Sequence, residues 1–400
     1  MIRLQYGICG SIAARTEPED NPYTYLQQPG VQAMLLSLNS NPLSLEDLKT
    51  AHPELREQIA AMTRLQMLHQ DQLVRVNFTL LDQRDKQIVW QVSDAHAREL
   101  ARLIAAKQAD IHAVLKPLAS AEVSVQQLAF LALGCYLLDW GALSLLQRWG
   151  ALDKEKPQAG NNVYTLWAEV EQADSLKAVY WGGHSMQVGD FLLHTFGDHD
   201  PGTRRMALPD ILYRVHNGDL PGREYFRVLQ LRKNKEIGHQ LAEILDLIGR
   251  EGCTGEKLTS VNPTQLPEML SLLKALHYVG QPEQNSYLLK IPYFTGADLP
   301  TLRCVAHLVV PLLQQWVNTQ LEQYRHDIGS INSLQNGVPF NEVLVHCWHY
   351  VFGLANKRLA EWNVITDTYC ASSRWRGYQP GLMQAGLVAQ MLPGASSYGE

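Results

Sequence analysis

Apolar residues recur at three- and four-residue steps along most of the chain, which is the spacing of one helix face, and only short stretches switch to β-branched and aromatic residues. Val31–Leu38 reads as a short apolar helix. Leu43–Leu48 starts a second behind an Asn-Pro turn, and a third runs from Pro53 to Leu68. Leu73–Leu81 and Gln87–Val92 then predict two strands, with the polar Asp82–Asp85 between them closing a hairpin. Ser93 or Asp94 caps a long helix carrying Leu100, Leu103, Ile104, Ile111, Val114, Leu115 and Leu118 on one face.

The second half spells a similar order. Glu236–Ile248 matches the first helix, Cys253–Leu258 the second and Gln265–Leu276 the third. Ser286–Ile291 reads as one surviving strand of the hairpin. Thr295 or Asp298 caps Leu299–Val317, apolar at Leu302, Ala306, Val309, Leu313 and Trp316. The Leu68-His69 ending recurs as Leu276-His277. A further buried helix follows in each half, Leu128–Trp149 and Val343–Trp362, both closing on Leu-x-x-Trp.

Three helices, a two-stranded wing and a long helix resemble the winged helix-turn-helix, and the first half looks most like regulators of the MarR type. The resemblance implies a mainly α protein with small β wings, built as two tandem winged-helix-containing repeats plus additional helices. The first repeat would span residues 1–204, with its winged helix at about 31–92 and its long helix at 94–118. The second would span 206–400, with a winged helix at about 236–294 and a long helix at 298–317. In that family the third helix enters the major groove and the wing touches the adjacent backbone. This implies a DNA-binding protein acting in transcription regulation, with duplex DNA as partner. Arg56 and Arg64 would then lie on the recognition helix, beside Glu54 and Glu57, and Arg75, Arg84 and Lys86 on the wing, with Arg84 at its tip. The second copy offers Lys274 against Glu268 and Lys290 against Glu283, so attraction to phosphate is close to cancelled there. Winged helices also pair with proteins, so a protein-interaction scaffold with a protein partner is the alternative.

Composition narrows this picture. At 400 residues with 46% hydrophobic and 18% charged positions, the chain can bury large cores and is not a disordered polymer. Its net charge of -6 means that contact with nucleic acid must come from a local patch. One such patch is a connector holding Arg204, Arg205, Arg214, Arg223, Arg227, Arg232, Lys233 and Lys235 against Asp210, Asp219 and Glu224. Met1–Gly10 lacks the features of a secretory signal, and the longest apolar run, Leu128–Leu138, is about half the roughly 20 residues of a membrane span, so a cytoplasmic protein without membrane contact is expected. Six scattered cysteines with no C-x-x-C spacing suggest buried thiols and neither a disulfide framework nor a zinc finger.

Other chemistry is thinly represented. His184, His194 and His199, with Asp198 and Asp200, could in principle ligate a metal and make a metal-dependent enzyme, but the spacing fits no zinc signature and the stretch is rich in turn formers. His346 and His349 share one face of an apolar helix and read as core histidines. There is no phosphate-cradling glycine loop and no nucleophile elbow, so no cofactor is expected and an enzyme is not the favoured reading.

Overall fold

A computed structural model of the chain describes residues 3–11, 16–153, 156–158, 162–171, 183–197, 208–209, 237–249, 252–259, 265–283, 285–368 and 378–393. The protein is mostly helical with small sheets. Its contacts divide into two compact units, each assembled from separate stretches of chain. The first takes residues 1–99, 143–177 and 315–354, and the second takes 100–142, 178–314 and 355–400.

In the first unit, strand β1 (Leu4–Ser11) is followed by helices α1 (Pro22–Leu26), α2 (Pro29–Ser40), α3 (Leu45–Ala51) and α4 (Arg56–Arg64). Helix α2 buries Val31, Met34, Leu35 and Leu38, the stripe that its spacing predicts. Helix α3 starts where the Ser44 hydroxyl oxygen accepts the Asp47 amide at 3.1 Å. Helix α4 stops at Gln66, whose φ of 57° turns the chain, and the Met67 amide closes on the Met62 carbonyl at 2.9 Å. Strands β2 (Leu68–Gln70) and β3 (Val74–Val76) then form a small antiparallel hairpin, and Leu43 bridges to Val74 as a third partner. Strand β4 (Thr79–Leu81) leaves the hairpin and runs parallel to β6 (Val163–Val170), which pairs antiparallel with β1 and with the short β5 (Lys156–Pro157).

The hairpin therefore lies earlier than the sequence predicts. Leu73–Leu81 is two strands, because the Asn77 amide turns back to the Met67 carbonyl at 3.0 Å. Gln87–Val92 is no strand at all but lies inside helix α5 (Gln83–Ala105). The Asp82 carboxylate accepts the Asp85 amide at 2.8 Å and caps this helix, and Val89, Ser93, His96, Ala97 and Leu100 face inward at three- and four-residue steps. Tertiary burial of that face overrides the strand preference of Ile88, Val89 and Val92. Helix α5 ends at Ala105, before the expected Leu118, and α6 (Gln108–Leu115) continues separately.

In the second unit, α7 (Val125–Ala129) opens into a π-helical stretch, Phe130–Gly141; α8 (Ala142–Arg148) follows in the chain and from residue 143 belongs to the first unit. Strands β7 (Gly183–Val188) and β8 (Phe191–Gly197) are followed by α9 (Ile237–Ile248), β9 (Cys253–Thr254), α10 (Gly255–Leu258) and α11 (Leu266–Ala275). Two strands are paired where one was expected: β10 (Val279–Glu283) pairs with β11 (Ser286–Leu289), and β11 pairs with β9. Strand β12 (Tyr293–Phe294) runs parallel to β13 (Tyr378–Gln384), which lies antiparallel to β8. Helix α12 (Leu299–Asp327) outruns the expected end at Val317, and α13 (Asn332–Gln335), α14 (Phe340–Glu361) and α15 (Leu387–Met391) complete the described chain; residues 315–354 of this stretch belong to the first unit.

Two stretches, 29–77 in the first unit and 237–290 in the second, are alike in local geometry. Helix α9 buries Leu241, Ile244, Leu245 and Ile248, at the same steps as the stripe of α2. Helix α11 ends at His277 with φ of 60°, and the Tyr278 amide reaches the Leu273 carbonyl at 2.8 Å. The Lys290 amide returns to the Tyr278 carbonyl at 2.9 Å, as Asn77 returns to Met67. Among the described residues, two helical stretches, Val125–Arg148 and Gly296–Asp327, are long and apolar enough to cross a membrane by composition. In the first, 83% of the apolar window is buried inside the protein, as in a core helix.

Candidate nucleic-acid interface

Helix α4 packs through Ile59 and Met62, which leaves Arg56, Glu57, Ala60 and Arg64 on its outer face. Two helical turns separate Arg56 from Arg64, so both project from the same side. Arg56 is exposed. Arg64 is half exposed, and its guanidinium is fixed by the Asp20 carboxylate at 2.7 Å and the Glu19 carbonyl at 2.8 Å. On the adjacent hairpin Arg75 is held by Asp71 at 2.8 Å. The hairpin tip itself is Asp71, Gln72 and Leu73. Glu54, Glu57 and Asp71 balance the three arginines, so this face carries shape and hydrogen-bonding groups but little net charge.

Two residues expected on the wing lie elsewhere. Arg84 occupies the first turn of α5, not the wing tip; its side chain is 61% exposed and its Nη1 lies 3.4 Å from the Ser330 carbonyl. Lys86 is only 4% exposed, with its ammonium 2.9 Å from Glu169 and 3.0 Å from the Val170 carbonyl. A lysine sealed in that way cannot reach a phosphate. The connector residues Arg204, Arg205, Arg232, Lys233 and Lys235 lie outside the described residues.

Around Lys86 the first unit holds a buried polar cluster that sequence reading missed. Glu169 on β6 accepts the Tyr350 hydroxyl at 2.5 Å and lies 3.0 Å from His346 Nε2, while the His346 ring stacks on Trp167 at 4.3 Å. Burial pushes the Glu169 carboxyl up, but the hydrogen bond and charge of His346, the Lys86 ammonium and the Tyr350 hydroxyl more than offset it and hold the group at about 2. His346 and His349 are core residues, as expected, yet His346 Nδ1 has no hydrogen-bond partner. His349 bonds to the Val345 carbonyl through Nδ1 at 2.8 Å, and burial lowers it to about 4. No local motif announces this cluster, because its members come from three distant parts of the chain.

Of the three histidines of the weak metal candidate, only His194 has its side chain among the described residues. His194 is fully buried on β8, with Nε2 2.6 Å from the Tyr136 hydroxyl and Phe196 and Trp140 against its ring. Burial lowers it to about 4. His184 sits on β7 opposite Thr195, and its side chain and the whole of His199 lie outside the described residues. Among the described residues no three His, Cys, Asp or Glu side chains are grouped so that they could hold a metal ion.

No protein-family model, curated protein or solved structure matches this chain.

Proposed function

We propose that the chain is a cytoplasmic DNA-binding protein of tandem winged-helix architecture, acting as a regulator of transcription. The observation that carries the reading is the arrangement of α2, the Leu43 bridge, α3, α4 and the β2–β3 wing, with the outer face of α4 left uncovered by its own unit. That is the order in which a winged helix offers its third helix to the major groove and its wing to the backbone. The same order in α9, β9, α10, α11 and the β10–β11 wing supports a tandem arrangement. Arg56 is the leading base-edge candidate, Arg64 and Arg75 flank it, and the basic connector at residues 204–235 supplies phosphate attraction that the α4 face lacks.

The test is binding of the full chain to a random duplex pool at low salt, followed by salt titration. Affinity should fall with a log-log slope of about -0.9 for each phosphate neutralised. Charge-neutralising changes in the connector, Arg232→Ala with Lys233→Ala and Lys235→Ala, should flatten that slope. Absence of binding at low salt sinks the proposal. A second reading, a protein-interaction scaffold, is favoured by one specific observation: the near cancellation of charge on the α4 face, which suits a protein surface as well as a groove.

A further inference from the structure

The hydrogen bonds that end α4 and α11 place the two helices in register. Ala61, Met62 and Thr63 accept from Leu65, Met67 and Gln66 in one copy, and Leu272, Leu273 and Lys274 accept from Leu276, Tyr278 and His277 in the other. The buried positions agree with that register, since Ile59 and Met62 match Leu270 and Leu273. On the wings, the Leu43–Val74 bridge matches the Cys253–Tyr287 pair, and Leu68 opposite Val76 matches Val279 opposite Leu289.

This register makes the outer faces comparable side chain by side chain. Arg56 corresponds to Pro267, Arg64 to Ala275 and Arg75 to Leu288. All three arginines of the first face are therefore replaced by residues with no side-chain donor. The acid is kept, Glu57 matching Glu268. The exposed α11 cation is Lys274, which bonds to Gln281 at 3.0 Å and lies over the Tyr287 ring at 5.9 Å, folded onto its own wing. Lys290, beyond the wing, is paired with Glu122 at 3.2 Å.

We infer that base recognition is confined to the first copy, so that the DNA target is one asymmetric element and not an inverted or direct repeat of two like half-sites. The inference rests on the DNA-binding reading above. In a dimer of identical winged helices both third helices carry the same side chains, and the site mirrors that symmetry. Here the two faces share a backbone but not a set of donors, so a second copy of the same base sequence has nothing to read it.

The experiment is selection of binding sequences from a duplex library with a long random region, using the full wild-type chain, Arg56→Ala and Lys274→Ala. Wild type should enrich a single non-repeating motif. Arg56→Ala should lose about tenfold or more of the discrimination at one base pair of that motif while still binding DNA, whereas Lys274→Ala should return the motif unchanged. Enrichment of two like half-sites, or a motif altered by Lys274→Ala and not by Arg56→Ala, overturns the asymmetric assignment and leaves DNA binding standing. No enrichment and no binding by wild type overturns both.

Discussion

Lys86 shows how one residue changes meaning between sequence and structure. Beside Arg84 in a polar stretch it reads as a wing cation, but its ammonium is sealed against Glu169, with His346 and Tyr350 completing the shell of that carboxylate. Removing one partner of a buried ion pair strands the other charge, so Lys86→Ala should cost about 3–5 kcal/mol. Equilibrium urea unfolding measures this, and the double variant Lys86→Met with Glu169→Gln should recover most of the loss. A Lys86→Ala midpoint equal to wild type would contradict the buried pair. The same cluster sets an acid limit. Because the folded Glu169 carboxyl titrates at about 2, below its ordinary value of 4.5, its contribution to stability is complete above pH 4.5 and is lost as pH falls from there towards 2. Glu169→Gln should lack that component of the acid slope in pH-dependent unfolding; an unchanged slope would assign acid lability elsewhere.

At the scale of elements, the helices α2 and α9 lie where their hydrophobic stripes place them, because a stripe at i, i+3, i+4 and i+7 can be buried in one conformation only. Gln87–Val92 misleads for the converse reason. A short run with β-branched residues fits either a strand or a buried helix face, and here the Asp82 cap and the inward residues Val89, Ser93 and His96 decide for the helix. The matching helix ends carry a testable cost. Gln66 and His277 hold positive φ of 57° and 60°, where a side chain is disfavoured and glycine is at ease. Gln66→Gly should raise stability by about 1 kcal/mol in thermal unfolding, with no change in the hairpin strands that follow. Destabilisation would mean that the Gln66 side chain makes contacts outweighing the backbone strain.

At the scale of the whole molecule, each compact unit draws on both halves of the chain. The first requires residues 315–354, which bury Trp316, Tyr324, Ile331 and Trp348. A fragment of residues 1–204 should therefore show no sharp cooperative melt as a monomer, by circular dichroism and by dispersion of its NMR amide signals, while the intact chain does. A cooperative, monomeric fragment would show that the first half carries a sufficient core alone. The mostly helical character, the position of α2 and α9, and the core placement of His346 and His349 were all legible in the chain, because helical spacing and apolar content act over a few neighbouring residues. The pairing of Lys86 with Glu169, the ion pair of Arg64 with Asp20, the actual hairpin between Leu68 and Val76 and the assembly of each unit from separate stretches of chain were not. Each depends on which distant residues meet, and burial of charge, unlike helical spacing, is set by those partners and leaves no local trace.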